Sequence, residues 1–232
     1  MQSEVKRDVD GILVAAHDLK APLCLVRQLA LSLDLAEDTA ARARIQSQIV
    51  TTSERALKQI GDFTKLARLE DGLFPLEPVS VRGVCDEVYR NLEPLFRYDH
   101  RQIILKYHNR SRLAVANREL LGSVVHNLCT NALHYSNAET VSRLEISDRG
   151  NQIRIGIRDY GPSLPTKVWR KISRGGIDQP TAVAMRSGSS GLGLYFVSQF
   201  ARYMHCDFGA TRHHDGTSFF IDLPASRQAT LF

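Results

Sequence analysis

Residues 126–136 read HNLCTNALHYS and lie near the end of a helical pattern that covers residues 118–136. Asn127 and Asn131 are four residues apart, so a helix places both side chains on one face. Tyr135 continues that face after another four residues and could pack on a base or ribose. Amide oxygens are hard ligands that suit Mg²⁺ when phosphates also hold the ion. Either asparagine alone more often caps or bridges neighbouring elements, so further segments must support a nucleotide site.

A second segment, IGIRDYGPSLP at residues 155–165, supplies a candidate for recognising the base. Asp159 ends an apolar strand where the chain turns through Gly161 and Pro162. A buried carboxylate there is costly unless it accepts a hydrogen bond, and the exocyclic amine of adenine is a good donor. The alternative is an aspartate that merely begins a turn, which the Asp-x-Gly-Pro composition favours by itself.

The third segment, RSGSSGLGLYFVSQF at residues 186–200, is rich in glycine. Gly188, Gly191 and Gly193, with Leu192 between the last two, precede and open a helix whose free N–H groups and dipole attract phosphate. The segment matches neither the Rossmann GxGxxG nor the P-loop GxxxxGK[ST]. Roughly 25 residues rich in Gly, Ser and Arg separate it from the second segment, which predicts a mobile lid rather than a packed element.

Helix and strand patterns alternate around these three segments, which predicts an α+β domain over residues 80–232, a mixed sheet with helices on one face. Pro75 and Pro78 predict a linker over residues 72–79. The predicted elements are helices at 84–96, 118–136 and 191–204, strands at 102–108 and 112–116, a hairpin turning at 149–151, and a closing hairpin turning near 215–216.

The first 71 residues predict a helical hairpin instead. Their apolar side chains alternate steps of four and three, as in a coiled coil or bundle, and a polar break at 36–40 separates two such runs. One hairpin buries little apolar surface, so we expect two chains to form a dimeric four-helix bundle. The first run carries Val5, Val9, Ile12, Ala16, Leu19, Leu23, Val26, Ala30 and Leu33, and the second carries Ile45, Ile49, Ala56, Ile60, Phe63 and Ala67.

His17 is the candidate reactive residue of this hairpin. Ala16 and Leu19 point to the bundle core, so His17 lies at a flank that can stay wet. Pro22 removes an N–H and crowds the preceding turn, so the helix should kink or loosen just after the histidine. Asp18 could orient the imidazole or take its proton. The plain alternative is a surface histidine near a chance proline.

Composition narrows the class of protein. Of the 232 residues, 43% are hydrophobic and 24% charged, which is typical of a folded protein of one or two domains. The first ten residues are too charged for a secretory signal, and no apolar run is long enough to span a membrane. The net charge of +5 is mild and its basic residues are dispersed, which disfavours nucleic acid. Four widely spaced cysteines disfavour zinc and fit a reducing cytosol.

Five segments together resemble a bacterial sensor histidine kinase, the transmitter of a two-component system, and the likeness covers nearly the whole chain. HDLKAPL at 17–23 resembles the H-box of that family, and NLCTNALHYS at 127–136 its N-box. DYGPSLP at 159–165 and SGLGLYFV at 190–197 resemble its first and second glycine boxes. Residues 204–224 are similar to its closing hairpin.

The resemblance implies a dimerisation and phosphoacceptor hairpin followed by an ATP-binding domain of the kind shared with gyrase and heat-shock chaperone ATPases. It implies that His17 attacks the γ-phosphate of ATP and passes the phosphoryl group to an aspartate of a response regulator. The implied ligands in the ATP site are Asn127 and Asn131 for Mg²⁺ and phosphates, Asp159 with Gly161 for adenine, and Gly188, Gly191, Leu192 and Gly193 for the phosphates.

The nucleotide boxes depart from the family pattern at three positions. The family usually has Lys or Arg where His134 stands, so a cation near the phosphates is replaced by an imidazole. The first glycine box usually has Asn at the position of Tyr160 and a second Gly at that of Ser163.

The lid and the H-box depart as well. Trp169 and Ile172 would fill the places of the two phenylalanines that the family's lid usually carries, while Arg174 remains positioned to reach phosphate. Ala21, four residues after His17, stands where the family usually has Thr or Asn. That polar residue is thought to place the water that dephosphorylates the regulator, so we expect weak phosphatase activity here.

The leading interpretation is an ATP-dependent protein-histidine kinase that works as a homodimer in the cytoplasm. We expect the chain to be a catalytic core, either taken from a membrane-bound receptor or paired with a separate sensor subunit. One alternative is a degenerate phosphotransfer or dimerisation module that keeps the fold but barely uses ATP. A serine kinase or ATPase on the same ATP fold is disfavoured, because such proteins lack the heptad hairpin with its histidine.

Overall fold

The computed structural model describes residues 20–35, 38–108, 112–137, 139–178 and 191–228. The chain divides into two compact units, Met1–Ala67 and Arg68–Phe232. The candidate residues His17, Asp18 and Gly188 lie outside the described residues, as do residues 36–37 of the predicted loop.

The first unit contains two helices, α1, described over residues 20–33, and α2, Thr39–Ala67. The carboxylate of Asp38 accepts a hydrogen bond of 2.5 Å from the N–H of Ala41, which satisfies a free donor at the start of α2. In α2, the ammonium of Lys58 contacts both carboxylate oxygens of the buried Asp62 at 2.6 Å. The predicted helical hairpin is confirmed.

The apolar positions of this unit are incompletely covered within one chain. Ala56 of α2 is buried, and Val26 and Leu33 of α1 are half-buried. Among the residues described in this unit, seven large apolar side chains are exposed, namely Leu23, Leu25, Leu31, Leu35, Val50, Leu57 and Ile60. A single hairpin therefore leaves much of its apolar surface in water.

The second unit begins with a short 3-10 helix, Leu69–Asp71, and contains two sheets. Strands β1, Glu77–Ser80, and β3, Leu113–Ala116, pair antiparallel. The strands of the larger sheet are β2, Gln102–Tyr107; β4, Val141–Arg149; β5, Gln152–Arg158; β6, Asp207–His213; and β7, Gly216–Pro224. Their order is β2-β4-β5-β7-β6. Strands β2 and β4 are parallel, and the other neighbours are antiparallel.

The helices of the second unit are α3, Val81–Tyr98; α4, Arg118–Tyr135; α5, Thr166–Ser173; and α6, Leu192–Tyr203. Helix α4 contacts both α3 and α6 and lies against β4 and β5. In β5, Ile153, Ile155 and Ile157 are buried while the alternate residues Arg154 and Arg158 lie on the opposite face. This mixed sheet with packed helices confirms the predicted α+β class.

Two segments differ from their sequence predictions. Residues 77–79 of the predicted linker form β1 together with Ser80, because the backbone of this stretch pairs with β3 and buries Val79. Residues 166–173 of the predicted lid form helix α5 rather than an unpacked segment. The reason is amphipathic spacing: Val168 and Ile172 are buried one turn apart, and the indole N–H of Trp169 donates to the carbonyl of Ala210 at 3.2 Å.

Candidate functional site

Helix α4 carries the two candidate metal and phosphate ligands. Its first turn is capped by Asn117, whose side-chain oxygen accepts from the N–H groups of Glu119 and Leu120 at 3.1 Å each. The amide of Asn127 donates to the carbonyl of Ser123 at 2.9 Å, which orients its oxygen away from that bond. Both Asn127 and Asn131 are half-buried.

Asn131 has an unmet hydrogen-bonding group. Its Nδ2 is buried and has no hydrogen-bond partner among the described residues. Buried polar groups in native proteins are nearly always paired, so an orphan donor points to a missing partner. A phosphate oxygen or a water in a phosphate site would supply that acceptor.

The start of helix α6 lies directly against these asparagines. A Cβ added to Gly193 would be 3.4 Å from Oδ1 of Asn127 and 3.6 Å from Oδ1 of Asn131. Just before the helix, Gly191 has a left-handed backbone with φ of 70°, while Leu192 is fully buried. Because the first amides of a helix attract anions, phosphates bound at the start of α6 would lie beside the side chains of both asparagines.

Asp159 lies buried at the end of β5, with one of its two oxygens occupied. Its Oδ1 accepts from the N–H groups of Gly161 at 3.2 Å and Thr217 at 3.1 Å. Its own N–H donates to the carbonyl of Thr217 at 2.9 Å. Burial raises the pKa of Asp159, opposed by the bonds from Gly161 and Thr217 and by the charge of Arg158. Among the described residues, both bonds to the side chain go to Oδ1, so Oδ2 could accept a donor such as the amine of adenine.

The turn after Asp159 packs against the end of α4. A Cβ on Gly161 would lie 1.9 Å from the carbonyl oxygen of Tyr135, so only glycine fits. The N–H of Asn137 donates to the carbonyl of Tyr160 at 3.2 Å, and the N–H of Tyr160 to the hydroxyl of Ser136 at 3.4 Å. The first and second candidate segments therefore form one continuous surface with Tyr135 at their junction.

Arg174 and Ile172 lie at the end of α5, and His134 lies in the last turn of α4. Arg174 caps the end of α5 with an exposed side chain, and its guanidinium has no hydrogen bond or ion pair to another described residue. Ile172, expected in the lid, is buried beneath α5. His134 lies in the last turn of α4, at the position where a cation was expected.

Sequence reasoning missed the residues that position Asp159 from outside its own segment. Thr217 and Gly216, at the start of β7, contact the backbone or carboxylate of Asp159 although they lie nearly sixty residues away. Arg158 was also passed over, although its guanidinium contacts the Asp159 carbonyl. The Asp-Gly turn at 215–216 was the available signal, but a turn motif does not indicate what the turn touches.

Known proteins with similar sequences include ATPases and histidine kinases. Residues 116–227 match the family of histidine kinase-, DNA gyrase B- and HSP90-like ATPases. Over 90% of its length the chain is 26% identical to the probable sensor histidine kinase TcrY of Mycobacterium tuberculosis, and over 96% it is 24% identical to the histidine protein kinase SaeS of Staphylococcus aureus.

The chain is thus similar to sensor histidine kinases, and its residues 116–227 are similar to this ATPase family. It spans 44% of the mycobacterial sensor kinase and 65% of the staphylococcal one. None of the helices in the described part of the chain is both long and apolar enough to cross a membrane.

Solved histidine kinases share the fold. The Acinetobacter baumannii histidine kinase AdeS has a TM-score of 0.64 at 17% identity, over 91% of this chain and 98% of that one. Full-length ShkA in complex with AMPPNP scores 0.62 at 18% identity, over 94% and 46% of the two chains. ThkA in complex with the response regulator TrrA scores 0.63 at 13% identity, over 97% and 64%.

Proposed function

We propose that this chain is an ATP-dependent protein-histidine kinase that autophosphorylates on His17 and passes the phosphoryl group to an aspartate of a response regulator. The observation that carries the proposal is the convergence of three segments on helix α4. Asn127 and Asn131 adjoin Gly193, and Gly161 adjoins Tyr135, although Gly193 follows Asn131 by 62 residues in the sequence. The match to sensor histidine kinases supports the same function.

In this proposal adenine lies at the C-terminal end of α4, beside Tyr135, and the phosphates lie beside Asn127 and Asn131 in the preceding turns of the same helix. Oδ2 of Asp159 accepts from the adenine amine, and Tyr135 lies beside the turn that carries it. The α6 amides around Gly193 and the orphan Nδ2 of Asn131 bind the phosphates. Asn127 and Asn131 would hold Mg²⁺, which neutralises phosphate charge when bound. The solved ShkA complex contains AMPPNP, an ATP analogue, which supports this use of the fold.

The chemical step belongs to the helical unit. Asp18 would polarise the imidazole of His17 so that one ring nitrogen is free for in-line attack on the γ-phosphorus. The new P–N bond forms as the bond to the β,γ-bridging oxygen breaks, and ADP leaves. Arg174 would stabilise the transferring group electrostatically, once the lid brings it to the site. Positioning and electrostatics supply most of the catalysis in such transfers.

The proposed partners are a second copy of this chain and a receiver domain. The seven exposed apolar side chains of the hairpin support dimerisation, because a second hairpin could cover them to form a four-helix bundle. The solved ThkA structure contains its response regulator, which supports a receiver domain as the phosphoryl acceptor. We propose that the chain acts in the cytoplasm, where ATP and receiver domains are found.

The test is incubation with γ-labelled ATP, scored for label that is acid-labile and base-stable. Wild type and an Asn151→Ala control should be labelled, because Asn151 is an exposed turn residue outside the site. His17→Gln and Asn131→Ala should remain unlabelled, the first for lack of an acceptor and the second for lack of a phosphate ligand. Label on His17→Gln equal to that on wild type would refute His17 as the acceptor.

The degenerate phosphotransfer module remains the second candidate, since an imidazole at His134 replaces the usual cation near the phosphates. Mg-ATP at 100 times its Kd should stabilise an ATP-binding protein by about 2.7 kcal/mol. A clean dimer with neither label nor an Mg-ATP-dependent rise in Tm would favour the degenerate module.

A further inference from the structure

Arg158 ties the backbone of Asp159 to the turn between β6 and β7. One guanidinium nitrogen, Nη1, donates to the carbonyl of Asp159, and Nη2 forms an ion pair of 2.5 Å with Asp215. The Arg158 side chain is only 16% exposed, so this pair is partly shielded from water. A guanidinium presents its donors in a fixed planar fork, which makes it suited to holding two acceptors in one geometry.

The turn between β6 and β7 lies close against the backbone of Asp159. Gly216 has φ of 147°, and a Cβ there would lie 2.2 Å from the Asp159 carbonyl oxygen and 2.6 Å from Nη1 of Arg158. The next residue, Thr217, exchanges backbone and side-chain hydrogen bonds with Asp159. The β6–β7 turn and the end of β5 are therefore one packed unit, with the carboxylate of Asp159 at its centre.

Two departures from the family pattern contribute to this packing. The guanidinium of Arg158 lies 4.4 Å from the ring centroid of Tyr160, an aromatic contact that the usual asparagine could not make. The hydroxyl of Ser163 donates to the carbonyl of His213 at 3.3 Å, which the usual glycine could not do. Ser163 thus joins the first glycine box to the end of β6, and Tyr160 packs against the guanidinium that pairs with Asp215.

We propose that Arg158 and Asp215 are positioning residues that hold the carboxylate of Asp159 where it selects a 6-amino purine. This inference rests on the proposed function, because it concerns recognition of ATP by the same site. The guanidinium fixes the peptide plane that follows Cα of Asp159, and Asp215 in turn fixes the guanidinium. We call the contacts of Arg158 with Asp215 and with the Asp159 carbonyl the Arg158 clasp. Without this clasp, Asp159 keeps its hydrogen bonds with Thr217, but its backbone can rotate and its Oδ2 no longer has a fixed direction.

The test compares two nucleotides that differ only at the purine 6-position. ATP has the amine, whereas purine riboside triphosphate has hydrogen, so their affinity ratio reports the Asp159–amine contact alone. In Arg158→Met and Asp215→Asn we expect this ratio to fall by about tenfold, chiefly through weaker ATP binding. Asp215 lies on an exposed turn, so its variant tests the clasp even where Arg158→Met is poorly folded.

Arg154→Met is the matched control, because Arg154 lies four residues earlier on the same face of β5. Its guanidinium pairs with Asp222 of β7 at 2.6 Å and lies 3.7 Å from the ring of Phe220, so it makes the same kinds of contact away from Asp159. This variant should lower Tm and keep the wild-type ratio.

The outcomes separate the inference from the proposed function. A wild type that prefers ATP, with the same preference in Arg158→Met and Asp215→Asn, overturns the positioning role and leaves the ATP site intact. Equal weakening of both nucleotides in the two variants also overturns it, because that is the effect of a purely structural contact. A wild type that binds neither nucleotide overturns the proposed function and this inference with it.

Discussion

Replacing Asp159 by asparagine should weaken ATP binding without lowering the stability of the folded protein. Asparagine has the same shape, and its Oδ1 can accept the bonds from Gly161 and Thr217 that the aspartate now accepts. Its Nδ2 would then stand in the place of Oδ2 and present a donor to the donor amine of adenine. The hydrogen bond lost involves a charged acceptor and is worth about 1.5–3 kcal/mol. That corresponds to ATP binding weakened by about 10- to 150-fold.

The Tm of Asp159→Asn should not fall, although its ATP affinity does. Burial raises the pKa of Asp159, so the folded protein binds this proton more tightly than the unfolded chain does. The ionised carboxylate therefore costs stability at neutral pH, and this cost disappears as pH falls below the ordinary pKa of the group. The neutral amide of the variant would not carry the cost, so Asp159→Asn should match or exceed the wild-type Tm at pH 7, with the difference shrinking in acid.

The assay is a titration of ATP and ITP followed by fluorescence or calorimetry. The 6-oxo group of ITP can accept from Nδ2 of the variant, so we expect Asp159→Asn to prefer ITP where the wild type prefers ATP. Asp222→Asn is the control, since this carboxylate is also buried near a strand end but binds Arg154. Unchanged ATP affinity in Asp159→Asn, at unchanged Tm, would refute the role of Asp159.

Four further changes test other parts of the molecule. Gly161→Ala should lower Tm and abolish the ATP-dependent rise in Tm, because its Cβ would lie 1.9 Å from the Tyr135 carbonyl oxygen. Overpacking of this kind costs about 1–3 kcal/mol. The control is Gly122→Ala, which has open space around it in α4 and should raise Tm slightly. A thiol reagent should label the native chain once, at the exposed Cys24, because the other three cysteines are buried and burial raises the pKa of their thiols. After denaturation the reagent should label all four cysteines. More than one label on the native chain would contradict the burial of these three cysteines. Leu57→Glu should convert the proposed dimer to monomers in light scattering, because this exposed side chain would carry a charge into the proposed four-helix bundle. A stable dimer would argue that this face of α2 lies outside the interface. Ala21→Thr should accelerate dephosphorylation of a phosphorylated regulator, and a fast wild type would end the expectation of weak phosphatase activity.

The helices and strands were predictable where one face is buried. The two helices of the hairpin, the alternating strands on either side of residues 149–151 and the turns at residues 150 and 215 agree with the structure. Strand β1 was missed because it is short and contains Pro78, and its formation depends on a partner, β3, more than thirty residues away. Helix α5 was missed because its Gly- and Ser-rich neighbours obscured one amphipathic turn that packs on β6.

Part of the candidate site was predictable from the spacing of residues within one helix. A spacing of four places Asn127 and Asn131 on one helical face whatever the rest of the fold does. That Gly193 should adjoin them, and that Gly161 should touch Tyr135, could not follow from spacing, because these contacts join separate elements.

The sequence by itself determined the two kinds of unit, the helical face with its asparagines and the strand end with its aspartate, because these depend on periodicity and local chemistry. Only the tertiary structure decided which side chains meet. Burial of the sheet on one face brings the β6–β7 turn against β5, and close packing there places Arg158, Asp215 and Thr217 around Asp159. Such long-range contacts have no local signature, since each partner alone is an ordinary turn or strand residue.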